Sequence, residues 1–377
     1  MRTRVEPWGA WVRLDAPPAL VALDHEGARA IGLEGGDVWT STTPAPSEPL
    51  EAHVAVTSQC GVGCDGCYLD ARPDGAHVPR ERLEKTFDDL ARRGVFTVAF
   101  GGGEPLMRPD LGELAASARE RGLLPLVTTS GIGMTPDKAR ALRAFAQVNV
   151  SYDGEGEVYT AVRSFAGAPA AERAMRLLHD AGVPFGVNVV LTRDSFPSLE
   201  QTIRRAYDLG AREAQLLRYK PAGRAAKLDY VSKRLTREQV ALLGDVVRRI
   251  SCEMHPLGFR IRIDCAMVAL LSDVLYERAA ELAALGVFGC EAGAALSAVR
   301  ADGRAAPCSF LDPGDVVRGK EAPCDTCALR KVCRGGCKAV SRFVDGHDGP
   351  DPECPRVVRA RSVMAVDGRR GVRGGGC

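Results

Sequence analysis

From residue 51 to about residue 220 the chain alternates two patterns of apolar and polar positions. Short runs rich in β-branched and aromatic residues occur at 53–57 (HVAVT), 96–100 (FTVAF), 124–129 (LPLVTT), 147–152 (QVNVSY), 185–191 (FGVNVVL) and 213–219 (EAQLLRY), and each reads as a strand. Between them, the segments near 80–93, 110–121, 136–145, 168–181 and 197–209 carry apolar residues at three- and four-residue spacing, which predicts amphipathic helices. Gly94, Gly122 and Gly182 follow three of these helices, where a glycine stop belongs. Strands alternating with helices imply an α/β fold of parallel βα units, either doubly wound or barrel-like. Both architectures collect reactive groups at the carboxyl ends of the strands.

The flanking segments differ. Residues 1–50 hold two apolar stretches, Trp11 to Leu14 and Leu20 to Leu23, before the Thr- and Pro-rich 40–49, which predicts a small cap or hairpin and a connector. After the βα region (51–224), residues 225–285 form a bridge with helices near 236–251 and 266–284 and a strand at 258–263. In 286–360 glycine, proline and cysteine replace helical periodicity, so this small region is expected to depend on bound metal for its fold. The tail 361–377 reads as disordered.

Composition narrows the picture. Apolar residues make up 45% of the chain and charged residues 26%, with a net charge of +2. These values give no reason to invoke nucleic acid or a membrane surface. No apolar stretch is long enough to span a membrane, and the N-terminus lacks a signal-peptide core, so a cytoplasmic protein is expected. Thirteen cysteines in a reducing compartment point to metal binding rather than disulfides.

Cys60, Cys64 and Cys67 follow the first βα strand as C-x3-C-x2-C. Thiolates are the natural ligands of iron–sulfur clusters, and three of them leave one iron of a four-iron cubane open to a small molecule. A zinc knuckle is the alternative, but no fourth ligand lies close by. The second strand ends in Gly101-Gly102-Gly103-Glu104-Pro105, where glycines permit close backbone approach. On these motifs the chain resembles the radical SAM superfamily over about residues 51–224. The resemblance implies a partial (β/α)6 TIM-like barrel and a catalytic [4Fe–4S] cluster on Cys60, Cys64 and Cys67. In that family the cluster cleaves S-adenosylmethionine (SAM) reductively to a 5′-deoxyadenosyl radical, which abstracts a hydrogen atom. It further implies that Glu104 accepts from the SAM ammonium, aided by backbone at Gly102 and Gly103. Thr128, Thr129, Ser130, Ser151 and Asp153 then bind the ribose and methionyl parts. Arg163 pairs with the SAM carboxylate, and Asn188 is a further polar contact. The family places an aromatic residue before the third cysteine to pack on adenine. This chain has Gly66 there, and Tyr68 is the substitute expected to supply that surface.

A second cysteine set lies in the C-terminal region: Cys290, Cys308, Cys324, Cys327, Cys333, Cys337 and Cys354. A zinc ribbon pairing Cys324 and Cys327 with Cys333 and Cys337 would leave three of them unexplained. The spacing, C-x12-G-x4-C, then C-x2-C-x5-C-x3-C, then C, with Gly303 as the glycine, is similar to the SPASM domain, the two-cluster extension of many radical SAM enzymes. The resemblance assigns Cys290, Cys308 and Cys337 to a first auxiliary cluster and Cys324, Cys327, Cys333 and Cys354 to a second. The fourth position of the first is Cys265, Cys252 or an open iron that a substrate group can bind. Cys377 is expected to be a free thiol.

Two auxiliary clusters imply oxidative chemistry, because a substrate radical can lose an electron to one of them. Enzymes of this kind mostly act on ribosomally made peptides, installing thioether or carbon–carbon crosslinks. Oxidation of a small metabolite and peptide epimerisation are the alternatives. The roughly fifty residues before the barrel are fewer than a winged-helix leader-binding module needs. The leader of a precursor peptide is therefore expected on a separate leader-binding protein or on the N-terminal element, with electrons from a flavodoxin- or ferredoxin-type reductant. The basic loop with Arg218, Lys220 and Arg224 could favour an acidic peptide, although a solvated loop is the more ordinary reading of such a charge run.

Overall fold

In a computed structural model the structure describes residues 1–15, 18–42, 45–227, 230–315 and 321–371. The N-terminal segment is a three-stranded antiparallel sheet of β1 (Arg2–Glu6), β2 (Gly9–Asp15) and β3 (Pro18–Asp24). Arg2, Arg4 and Arg13 fasten it to the rest. The Arg2 guanidinium donates to the carbonyls of Ala91, Val95 and Gly122, at the C-terminal ends of helices Arg80–Arg92 and Leu111–Glu120, where a cation meets both free carbonyls and the negative end of the helix dipole. Arg4 reaches the carbonyls of Glu48, Pro49 and Gly94.

The main body is a nine-stranded sheet built on β4 (Glu51–Thr57), β5 (Thr97–Gly102), β6 (Leu124–Thr129), β7 (Gln147–Ser151), β8 (Phe185–Leu191) and β9 (Glu213–Arg218). Neighbours among these six pair in parallel, as the alternating pattern predicts. Helices Arg80–Arg92, Leu111–Glu120, Pro136–Ala141, Ala168–Asp180 and Leu199–Asp208 connect them. Each turns an apolar stripe to the sheet; in the first it is Leu83, Phe87 and Leu90, at the i, i+4, i+7 spacing of one helix face. Phe87 stacks on Phe100 at 5.4 Å and Phe145 meets Phe100 edge to face at 5.3 Å, between sheet and helices.

The sheet extends further than the sequence pattern indicates. β10 (Arg260–Ile263), from the bridging segment, adds a parallel strand beside β9. At the other edge β11 (Leu296–Val299) pairs in parallel with β4, Leu296 opposite Glu51, and β12 (Ala305–Ala306) pairs antiparallel with β11. The cysteine-rich region is thus hydrogen-bonded into the barrel wall. The expected helix near 266–284 is instead a series of short pieces, Met267–Leu270, Ser272–Leu275 and Ala279–Ala284. Residues Ala266 to Ser272 are all buried, so they have no polar face to present along a regular amphipathic helix. Helix Pro355–Gly371 runs into the tail expected to be disordered, of which 372–377 lie outside the described residues. Pro355 suits a first helical position, Val357 is buried, and Arg359 and Arg361 pair with Asp273 and Asp345. Cys377 lies outside the described residues. Among the described residues no helix is long and apolar enough to cross a membrane.

Candidate active site

β4 ends at Thr57 and its loop carries Cys60, Cys64 and Cys67. Arg224 braces this loop from the far side of the barrel mouth. Its guanidinium donates to the Cys64 carbonyl at 3.1 and 2.8 Å, to the Ala71 carbonyl at 2.7 Å and to Asp70 at 3.1 Å. The thiols are free. Burial pushes the Cys60 thiol up, opposed by the N–H groups of Val62 and Gly63 and reinforced by the charges of Glu104 and Cys67. Burial likewise raises Cys64, which also senses Arg163, Cys67 and Cys60. Three thiols, one carboxylate and one guanidinium therefore face a common space at the carboxyl end of the sheet. Among the described residues no three His, Cys, Asp or Glu side chains close to the radius of a single ion. The fit to a cluster rests on the donor chemistry, three thiolate-forming groups sharing a space on one loop.

Glu104 is the best-held group in this space. One carboxylate oxygen accepts from the Thr129 hydroxyl at 2.6 Å and the Leu106 N–H at 3.0 Å. The other accepts from the Ser130 N–H at 2.8 Å and the Ser130 hydroxyl at 2.5 Å. Thr129 and Ser130, expected as direct cofactor contacts, thus spend their hydroxyls on orienting Glu104. Gly102 and Gly103 also have a different role from the expected one. A Cβ at Gly102 would lie 2.1 Å from the Thr57 carbonyl oxygen, and one at Gly103 would lie 2.0 Å from that of Gln59. These glycines let the end of β5 cross the exit of β4, which sets Glu104 opposite the cysteine loop.

Asp153 is fully buried and accepts from Arg163 at 2.5 Å and from the Val190 N–H at 2.6 Å. Arg163, expected to meet a carboxylate of the cofactor, is paired with this one and also faces Cys64. Its helix, Gly156–Arg163, has only eight residues with a weak periodic signal, and sequence reading missed it. Asn188 accepts from Asn149 at 2.7 Å and donates to Thr128 at 3.2 Å, joining β6, β7 and β8 across the barrel interior. Ser151 is buried at the end of β7.

Tyr68, expected to replace the missing aromatic, packs its ring on Phe310 at 4.8 Å, and burial raises its hydroxyl to a pKa of about 12. A second aromatic beside Gly66 is Tyr219, just beyond β9. A Cβ on Gly66 would come 3.3 Å from the Tyr219 ring, so this ring occupies the space that a larger residue 66 would need. Both line a cavity of about 220 Å³ beside the cysteine loop.

The C-terminal cysteines fall into two groups housed in separate apolar clusters. Cys308, Cys337 and Cys290 pack with Ala266, Ala292 and Leu311; Cys324, Cys327, Cys333 and Cys354 pack with Val268, Val332 and Val357. Burial, then the charges of Cys354 and Cys327, pushes Cys324 up to about 11; burial, then Cys354, pushes Cys333 up to about 12. Cys265 is half-buried, its thiol raised by burial and by the charges of Asp264, Cys290 and Cys337, with Lys220 opposing. Cys265 lies within electrostatic reach of Cys290 and Cys337, while Cys252 is exposed on helix Arg237–Met254. Cys337 sits with the first group, away from the partners a zinc ribbon would give it.

The expectation that Arg218, Lys220 and Arg224 recruit an acidic peptide is overturned. Arg224 braces the cysteine loop, Arg218 is buried against Asp351 and Glu353, and Lys220 is buried against Asp264. Their charges are matched internally, a burial that residue types alone do not reveal.

A βα barrel with three loop thiols facing a fixed glutamate at its carboxyl end defines the class: an enzyme domain built to hold a cofactor at its mouth. Residues 54–206 match the model of the Radical SAM superfamily, and the chain carries a radical SAM domain, whose family cofactors are a [4Fe–4S] cluster and SAM. The chain is 32% identical over 191 residues to the PqqA peptide cyclase of Ruegeria pomeroyi, covering 48% of this chain and half of that protein's length. It is 28% identical over 338 residues to the AdoMet-dependent heme synthase of Nitratidesulfovibrio vulgaris, covering 79% of this chain and 90% of that protein. It is also 28% identical over 347 residues to the mycofactocin maturase MftC of Mycobacterium ulcerans, covering 81% and 88%. Its fold is similar to that of Streptococcus suis SuiB bound to precursor peptide SuiA, with a TM-score of 0.72 at 15% identity over 94% of this chain and 98% of that one.

Proposed function

We propose that this chain is a radical SAM maturase that oxidatively modifies a ribosomally made peptide, forming a thioether, carbon–carbon or carbon–heteroatom crosslink. The observation that carries the reading is the two separate groups of C-terminal thiols joined to the barrel wall, with Cys265 near Cys290 and Cys337 of the first. The relatives named for peptide cyclisation and peptide maturation support the same substrate class.

Cys60, Cys64 and Cys67 would hold the catalytic cluster, which with SAM supplies a 5′-deoxyadenosyl radical for hydrogen-atom abstraction. Glu104, fixed through both oxygens by Thr129, Ser130 and Leu106, presents a carboxylate to the ammonium of SAM. Arg163 and Asp153 form a neutral pair at the same mouth, and Tyr219 with Gly66 shapes the cavity beside the cysteine loop. Cys265, Cys290, Cys308 and Cys337 would hold a first auxiliary iron–sulfur cluster, and Cys324, Cys327, Cys333 and Cys354 a second. These are the electron acceptors that an oxidative outcome requires. With Cys265 in the first set, that cluster is fully ligated by protein and does not dock the substrate. The protein works in the cytoplasm with a flavodoxin- or ferredoxin-type reductant, and a separate protein or the N-terminal sheet holds the leader.

The test is co-expression with short reading frames neighbouring the gene, followed by mass spectrometry. Crosslinking removes hydrogen in pairs from the peptide, whereas epimerisation keeps its mass apart from deuterium taken up from heavy water. A second reading, oxidation of a small metabolite, is favoured by the heme synthase relative, whose alignment covers 90% of that protein. Turnover of a porphyrin precursor with every peptide unmodified would establish it instead.

A further inference from the structure

Lys220 and Asp264 form a buried ion pair that the site described above does not use. β9 and β10 run in parallel with Leu216 opposite Ile263, so the residues just past their ends meet. Lys220 follows β9 by two positions and Asp264 follows β10 by one. They are 9% and 6% exposed, and the ammonium contacts one carboxylate oxygen while the Ala266 N–H contacts the other. The ammonium also lies 4.4 Å over the Phe310 ring, and Phe310 stacks on Tyr68, the neighbour of Cys67. Lys220 thus stands between the cysteine loop and the thiol group containing Cys265.

Burial alone would lower the lysine's affinity for its proton. The Asp264 carboxylate in contact with it keeps the ammonium charged. Phe310, under the ammonium, packs on the side-chain cluster that holds Cys290, Cys308 and Cys337, and Asp264 adjoins Cys265 in the chain. Stability is a poor reason to keep such a pair, since buried ion pairs are often replaceable by apolar residues at no loss. A fixed cation beside a cluster has a different effect. It favours the more negative, reduced state and raises the reduction potential, which hydrogen bonding, burial and net charge are known to set.

We propose that Lys220, held in place by Asp264, is a positioning residue that raises the reduction potential of the first auxiliary cluster and so keeps it an electron acceptor for substrate oxidation. This rests on the reading that Cys265, Cys290, Cys308 and Cys337 hold that cluster. The test is an EPR-monitored potentiometric titration of reconstituted holoenzyme carrying Lys220→Met, Lys220→Arg, Asp264→Asn or the Lys220→Met/Asp264→Asn pair. The potential should follow charge: highest in Asp264→Asn, then wild type with Lys220→Arg alongside, then the double variant, lowest in Lys220→Met. At a fixed poise the reduced-to-oxidised ratio in Lys220→Met should fall at least tenfold, about 59 mV for a one-electron couple, while the cluster on Cys60, Cys64 and Cys67 stays put. Potentials that do not move, or move without regard to sign, overturn the proposal. Should Lys220→Met lose iron, the charge-neutral double variant decides, since a potential at or above wild type there contradicts it. A wild-type protein with no cluster on these four cysteines defeats the underlying reading instead, and its iron content reports that separately.

Discussion

The two cysteine-bearing regions relate to their scaffolds in opposite ways. Cys60, Cys64 and Cys67 sit on a loop of a barrel whose core of valine, leucine and phenylalanine is continuous from Val54 to Leu216. In the C-terminal region the thiols are themselves members of two small apolar clusters, and the regular structure there is two strands of four and two residues and three described helices. A barrel of that size buries enough apolar surface to fold without metal, whereas a small cysteine-rich segment relies on its ligand bonds. On the proposed reading, the first region hosts a cluster and the second is organised by its clusters.

The largest effect should come from removing ligands on each side. Substituting Cys324, Cys327 and Cys354 by Ala should open residues 286–315 and 321–360 to hydrogen exchange and proteolysis while the barrel stays protected. The corresponding Cys60, Cys64 and Cys67 triple should abolish 5′-deoxyadenosine formation yet leave the apo-protein's unfolding temperature within about 4 °C. Equal unfolding in both would break the contrast.

The joint between the regions comes next. Arg218, at the end of β9, meets Asp351 at 2.5 and 2.9 Å and Glu353 at 2.8 Å. Arg218→Met leaves Asp351 buried without its cation, while Glu353 keeps Arg234, and should cost about 3–5 kcal/mol, read by denaturant unfolding. Burial opposes charge on Asp351, but Arg218 and the N–H groups of Cys337 and Glu353 prevail and hold its pKa below the ordinary 3.8. A depressed folded-state pKa stabilises the fold above the ordinary value, and that contribution is lost as pH falls below it. Acid should therefore destabilise wild type more steeply than Asp351→Asn.

Within the barrel, Glu104→Gln keeps shape but removes the charge facing an ammonium, worth about 1.5–3 kcal/mol. SAM affinity, by equilibrium dialysis, should fall roughly 10- to 100-fold. Thr129→Val removes one of four donors to Glu104 and should weaken SAM binding by about 1 kcal/mol, with no change in iron content. A Thr129→Val loss as large as that of Glu104→Gln would make the hydroxyl a direct cofactor contact.

Periodicity made the six βα units legible because each strand and helix carries its own repeat. It missed β11, whose four residues lie among glycines and cysteines and owe their strand to pairing with β4. Spacing picked out Cys60, Cys64, Cys67 and Glu104, since local motifs survive in one dimension. The partners did not. That Tyr219 fills the space beside Gly66, that Cys265 joins Cys290, and that Lys220 faces Asp264 depend on loops of different strands meeting at the barrel mouth. Basic residues at 218, 220 and 224 looked like a surface patch because sequence shows charge but not the acid buried opposite it.

The central claim is that one chain holds a SAM-cleaving cluster and two auxiliary ones. Anaerobic reconstitution followed by iron and sulfide analysis, with 5′-deoxyadenosine measured after reduction in the presence of SAM, tests it most directly. About twelve irons per chain, four for each of three clusters, together with 5′-deoxyadenosine, is the predicted result. Zinc in place of iron, or iron without SAM cleavage, would contradict it.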